Sequence, residues 1–462
     1  MGGLPEAKFA IVRTLVESAP DRVIGGLQRA LANAMGDSSL GDVRKLVEGE
    51  AADRRLRNAV LSPVAPLFLG DGRDESRLVF PARAFSLLWK SLKEAAPAET
   101  ARAARHLIDF APDESSPAPF DQLVDRLAQG LRAGEKSYQP AVDILNQARV
   151  GGADLFTSCL ALSPIVRAAT LRLPEWINHT FEERAAARVA YADAVATSHD
   201  AGPRFFEMLS AQLAEPWTIL RIVSAVMDHP NEGYLAGSEF AVFAERLMDA
   251  IDRSLRHLAQ FDATGGPKLG RELVAVVEAL TLQLTELESS IELSPEGLWG
   301  ARIRKQRATL VSTVERRLRE IEKAMSLAMP EHPVRVARAM KNLPRMTTDP
   351  DPAGVEAALC LLTFAEGIRT SANYGGFASA RAKMVEKAGE ILDNYVEEVL
   401  DMLKHHEIED RDRARRYLEI AGRCAALIYE PRAETIIARR AAAALGTRKP
   451  APPQGEEEVR LL

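Results

Sequence analysis

An all-α protein, either a multi-helix bundle or an irregular α-solenoid with long coiled-coil-like helices in its C-terminal half, is predicted by three observations. Ala, Leu, Arg and Glu dominate the 462 residues, apolar positions recur at spacings of three and four, and alternating valine-isoleucine runs are nearly absent. The one strand-like segment in this reading is Leu78-Val79-Phe80. About sixteen helices are expected from the start and stop signals. Hydrophobic residues make up 47% and charged residues 27% of the chain, enough to bury large cores and unlike a chain that is disordered, collagenous or membrane-embedded as a whole.

Helix starts are read at Pro20-Asp21, Ser163-Pro164, Ser294-Pro295 and Glu430-Pro431. Proline suits the first helical position because its missing N–H has no intrahelical partner there. Stops are read at Gly36, Gly134 and Gly202, since glycine takes the left-handed conformation of a C-terminal cap without a steric penalty. Proline and serine enrichment over Ala111 to Pro119, and Gly265-Gly266-Pro267 within Asp262 to Gly270, mark divisions, with a third turn-rich stretch at Thr347 to Pro352. The expected organisation is an N-terminal helical region at 1–111, a middle helical region at 112–265, a C-terminal long-helix bundle at 266–446 and a disordered tail at 447–462. The tail combines Pro450, Pro452 and Pro453 with Glu456 to Glu458, a composition that cannot bury itself. Solenoid repeats of known period are not visible, and the spacing of His106, His257 and His406 is read as chance.

Three apolar seams stand out. Leu273, Val277, Leu280, Leu284, Leu287 and Ile291 alternate steps of four and three; Ile303, Leu310, Val314, Leu318, Ile321 and Met325 form a second row, and Met384, Ala388, Ile391, Tyr395, Val399 and Met402 a third. Such rows predict helices crossing at about +20°. The seams are expected to meet within the chain, or else to offer one face to a second copy or another protein.

Charge is nearly balanced overall, 59 basic against 65 acidic residues, so no global preference for nucleic acid or anionic membrane follows. Locally it is uneven. Residues 301–345 hold twelve basic and four acidic side chains, and 386–412 hold ten acidic and three basic. Either the two segments neutralise each other, or Arg335, Arg338, Lys341 and Arg345, spaced three, three and four apart on one helical stripe, hold an anionic lipid surface, nucleic acid or acidic protein.

No catalytic constellation emerges. Gly36-Asp37-Ser38-Ser39-Leu40 offers serines after a glycine, yet no strand precedes them and none of the eight histidines follows an aspartate by three residues, so no general base is indicated. Gly265 to Gly270 lacks the Gly-Lys-Ser/Thr ending of a phosphate loop and is read as a linker opening a helix. His405, His406, Glu409 and Asp410 are the densest set of potential metal ligands, pairing at i and i+4 if helix continues through them. Tyr374-Gly375-Gly376-Phe377 is read as a turn between helices, and the scattered Trp89, Trp176, Trp217 and Trp299 as core. Cys159, Cys360 and Cys424 lie far apart in apolar surroundings, which fits reduced core residues better than a zinc or disulfide framework.

The longest uncharged apolar run, Leu155 to Val166, is too short to span a bilayer and contains Pro164, so no transmembrane helix is expected. The N-terminal residues lack a signal-peptide pattern, which predicts a cytoplasmic location. With 13 lysines among 59 basic residues and frequent alanine runs, the composition reads as the coding bias of a GC-rich, bacterial genome. The functional expectation is a non-enzymatic scaffold that presents helical surfaces to partner proteins, with no cofactor. The alternatives are an all-helical enzyme with a site assembled from scattered residues, or a peripheral anion binder acting through 301–345.

Overall fold

The computed structural model describes residues 6–33, 41–74, 76–109, 117–178, 181–227, 229–336 and 339–446. Among the described residues there are twenty α-helices and one two-stranded antiparallel hairpin, so the fold is all-α. Two compact units divide the chain, one of residues 1–230 and 237–243, the other of 231–236 and 244–462. The stretch Asp262 to Gly270 lies inside the second unit, where it forms a 3-10 turn and the start of a helix. Gly36 to Leu40, Ala111 to Ser116 and the tail at 447–462 fall outside the described residues.

The first unit contains α1 (Glu6–Ser18), α2 (Asp21–Asn33), α3 (Gly41–Val60), α4 (Ala82–Ala95), α5 (Pro97–Asp109), α6 (Ala118–Arg132), α7 (Gln139–Ala148), α8 (Gly152–Trp176), α9 (Phe181–Thr197), α10 (Ala201–Gln212) and α11 (Ile219–Val226). Two arginines stitch it together by satisfying carbonyls that helix ends leave orphaned. Arg54 donates to Val16, Glu17 and Ala19 oxygens at the end of α1 and pairs with Asp21 at the start of α2. Arg167 of α8 donates to Ala59 and Val60 oxygens at the end of α3 and pairs with Asp121 of α6 at 3.0 Å. Among the described helices α8 alone is long and apolar enough to cross a membrane by length and composition, which gives no clear transmembrane segment. It packs against α6, α7, α9 and α10, with Phe156, Cys159, Leu160 and Val166 fully buried.

Local signals succeeded and failed for identifiable reasons. α2 starts at Asp21, α20 (Pro431–Ala444) starts after Glu430, and Gly134 closes α6 at φ +65°. Ser163-Pro164 instead lies inside α8, where the Ser163 hydroxyl donates back to the Cys159 carbonyl. Gly202 lies near the start of α10, selected by space: a methyl group there would come within 3.2 Å of the Tyr191 ring. Leu78 to Phe80 supplies an isolated bridge from Phe80 to Phe68 in a cluster of aromatic rings that includes Phe156. Of the tryptophans, Trp89, Trp176 and Trp299 are buried and Trp217 is half-buried.

The second unit contains α12 (Glu232–Ala236), most of α13 (Ala241–Gln260), α14 (Gly266–Ser290) and α15 (Leu298–Ala328), then β1 (Glu331–Val336) and β2 (Ala339–Pro344). α16 (Pro352–Gly367), α17 (Ala372–Gly375), α18 (Ala378–Lys404), α19 (Arg411–Ile428) and α20 complete it. Every residue of the first two seams is buried, Leu280, Leu284 and Leu310 completely. On α18 the buried residues are Ala388, Gly389, Leu392, Tyr395, Val396, Val399, Leu400 and Leu403, a face displaced from the seam read from sequence, and Met384, Ile391 and Met402 are half-buried. The first two seams are therefore packed inside the unit, and the third only in part.

At the centre is α16, packed by α14, α15 and α19. Val355, Leu359, Leu361, Leu362 and Phe364 are all buried, so apolar positions cover most of its circumference. Glycines set the closeness of this packing. A methyl group at Gly270 would lie 2.5 Å from the Cys360 carbonyl oxygen, and one at Gly367 would lie 2.4 Å from a Val274 methyl. Gly270 thus serves the close approach of α14 to the α16 backbone, while Gly266 takes a left-handed φ of +69° at the start of α14.

Glu232 holds the start of α15. Its carboxylate, 6% exposed, accepts from the backbone N–H groups of Trp299 at 2.7 Å, Ser294 at 3.0 Å and Gly300 at 3.2 Å. Ser294-Pro295 precedes the helix by a turn, and the N-cap is Gly297, where any side chain would strike this carboxylate.

The expectation of a helical stripe from Arg335 to Arg345 is overturned by the hairpin. Val334 and Val336 favour extended backbone, and Pro333 and Pro344 cannot donate within a helix. Arg335 lies opposite Met340 and Lys341 opposite Val334, so period-two alternation sends Arg335 and Lys341 to opposite faces.

Candidate functional site

The second unit carries two adjoining cavities. The first, about 410 Å³, is lined from α14 by Pro267, Arg271 and Val274 and from α16 by Leu359, Thr363, Glu366 and Gly367. Arg423, Ala426 and Leu427 of α19 and Glu434 of α20 close it. The spacing explains the convergence, because residues at i, i+4 and i+7 share one helix face and both α14 and α16 contribute such a set. The second cavity, about 400 Å³, runs on between α19 and α20 past Leu418, Gly422, Ala438, Ala441 and Leu445, and shares Arg423 and Glu434 with the first.

The floor of this groove is apolar and its rim carries both signs of charge. Arg271, Glu366, Arg423 and Glu434 are exposed, and Arg423 reaches Glu356 at 4.0 Å. Thr363, 7% exposed, has a hydroxyl oxygen with no hydrogen-bond partner, a polar group buried in the wall of the first cavity. None of the lining residues is histidine, cysteine, serine, tyrosine or lysine. The ionisable side chains of the groove are arginines, which keep their protons at any physiological pH, and glutamates.

The residues singled out from the sequence lie elsewhere. Arg335 is exposed on the hairpin, Lys341 pairs with Glu398 of α18 at 2.5 Å, and Arg345 follows β2 with its Nε 3.2 Å from the Thr347 hydroxyl. Arg338 lies outside the described residues. Arg335 and Lys341 lie on paired strands and do not share a helical stripe. The two oppositely charged segments are joined by Lys341–Glu398 and by Lys387–Glu322 at 2.6 Å.

The metal candidates are separated by the end of a helix. α18 stops at Lys404, His405 caps it with Nδ1 2.9 Å from the Asp401 carbonyl oxygen, and His406 turns left-handed at φ +59°. Asp410 is engaged as the N-cap of α19, accepting from the Arg413 N–H, while Glu409 is exposed. The i and i+4 pairing therefore does not occur. Among the described residues no group of three or more His, Cys, Asp and Glu side chains is placed to hold a metal ion.

Sequence reasoning missed the groove because each of its four walls comes from a different helix. A basic row along α15 was open to discovery: Lys305, Arg316, Arg319 and Lys323, spaced eleven, three and four, are all exposed. The charge count took in those residues without separating them from Arg302, which pairs with Asp249 and Asp252, and Arg307, which pairs with Glu288. No known protein family, curated protein or solved structure matches the chain.

Proposed function

We propose that this is a cytoplasmic, non-enzymatic interaction protein whose second unit receives a segment of a partner protein in the groove between α14, α16, α19 and α20. The observation that carries the reading is the pair of adjoining cavities with an apolar floor and an arginine-glutamate rim. Ala438, Ala441 and Ala442 leave room for a partner's larger apolar anchors, and Arg271, Glu366, Arg423 and Glu434 set the register of its flanking charges. The occupant this chemistry fits is an amphipathic segment with small or aliphatic anchors and charges of both signs beside them.

A photoreactive side chain at Ala438 tests the reading in the source cell. It is expected to trap one partner chain, whereas the same group at Arg432, on α20 but outside the lining, does not. Ala442→Trp, which fills the groove, is expected to abolish the adduct at Ala438 without lowering the melting temperature. Equal trapping at both positions, or trapping indifferent to the filled groove, would refute the proposal.

A further inference from the structure

The exposed side of α15 carries a straight cationic row. Lys305, Arg316, Arg319 and Lys323 fall within a narrow angular sector of the helix and extend over about 27 Å at 1.5 Å per residue. Ala301, Ala308 and Ser312 are the small exposed residues beside them. Lys305 and Lys323 have no side-chain partner among the described residues; Arg316 donates to the Ala259 carbonyl, and Arg319 is 3.7 Å from Glu315.

An anionic row of matching length lies on α18. Glu386, Glu390, Asp393, Glu397 and Asp401 advance by four, three, four and four, all exposed, over about 22 Å. Asp393 accepts from the Tyr429 hydroxyl, Glu397 pairs with Arg440 and Asp401 with Lys404, whereas Glu386 and Glu390 have no side-chain partner among the described residues.

We infer that these rows are the two halves of a contact between copies of this chain, the cationic row of one copy lying along the anionic row of the next. Charge complementarity selects the occupant. A second copy supplies a bounded acidic row of the required length, whereas a net charge of −6 opposes close approach to an extended polyanion such as a bilayer or a nucleic acid. α15 and α18 pack against each other in one unit, so every copy carries both rows. The groove of the proposed function is a separate surface, and neither proposal rests on the other.

Sedimentation velocity of the full chain tests the inference. Concentration-dependent association is expected at about 50 mM salt and its loss at about 500 mM, because exposed charges are screened within a few ångströms at the higher value. Reversal of one row, Lys305→Glu with Arg319→Glu and Lys323→Glu, is expected to abolish association, as is Glu386→Lys with Glu390→Lys. A milder pair, Lys305→Gln with Lys323→Gln, is expected to weaken association with an unchanged melt, which separates lost contact from lost folding. A wild-type chain that stays monomeric at low salt, or association indifferent to either reversal, would overturn the inference. So would a monomeric chain that binds phosphatidylserine vesicles or duplex DNA through Lys305 and Lys323.

Discussion

Replacing Glu232 by Gln changes one oxygen to an amide nitrogen and leaves shape nearly intact. Its consequence can be worked from three contacts. The two carboxylate oxygens accept N–H groups of Trp299, Ser294 and Gly300, and two of these donors belong to the first turn of α15, which has no intrahelical acceptor for them. Glutamine presents one acceptor oxygen and one donor NH₂, so at least one backbone N–H faces another donor. A hydrogen bond to a charged group contributes about 1.5 to 3 kcal/mol, and the carboxylate also faces the positive end of the helix dipole. The expected destabilisation is about 3 kcal/mol, or about 6 to 12 °C in melting temperature for a unit of this size. Circular dichroism gives the melt, and hydrogen exchange of a peptide covering Trp299 and Gly300 locates it. A melt within about 1 °C of wild type, with those amides equally protected, would show that Glu232 does not hold the helix start.

Leu280→Asp puts an unpaired charge at a fully buried seam position and is expected to cost about 4 kcal/mol or more, read as loss of the cooperative melt. Gly270→Val is expected to cost about 1 to 3 kcal/mol by denaturant titration, because its Cβ meets the Cys360 carbonyl and cannot be relieved by a side-chain rotation. Burial acts upward on the Asp252 carboxyl, but hydrogen bonds from Arg302 and Gln306 outweigh it and hold the group below the ordinary carboxylate value. Its contribution is therefore present above the unfolded value and lost as pH falls through the folded one. The melt of Asp252→Asn should be less sensitive than wild type to acidification below about pH 4, and equal sensitivity would contradict the pairing. Burial pushes the Cys159 and Cys424 thiols up to about 12 and the Cys360 thiol to about 11, so a thiol reagent should leave the native chain unlabelled and modify all three on unfolding.

The helical class and the first two seams were legible because period and burial are coupled: a row such as Leu273, Val277 and Leu280 has one face to hide. Residues 331–345 misled because arginines at steps of three and four fit a helical stripe, while the valines and prolines among them carried the contrary signal. His405 to Asp410 misled for a related reason. The i and i+4 rule assumes a continuing helix, and the left-handed turn at His406 breaks it. The groove and the Glu232 cap were illegible on principle: the carboxylate and the N–H groups it accepts are 62 to 68 residues apart, and no local pattern records such a meeting.

The enclosure of α16 also bears on the order in which the unit is built. During synthesis α14 and α15 emerge before α16, but its third neighbour, α19, begins at Arg411, more than forty residues after α16 ends. Until that helix leaves the ribosome, a flank of α16 bearing buried aliphatic side chains has no native cover, and contacts of such long sequence separation form slowly. A nascent chain arrested before Arg411 would therefore present this flank to chaperones, and release of α19 and α20 would be the event that withdraws it.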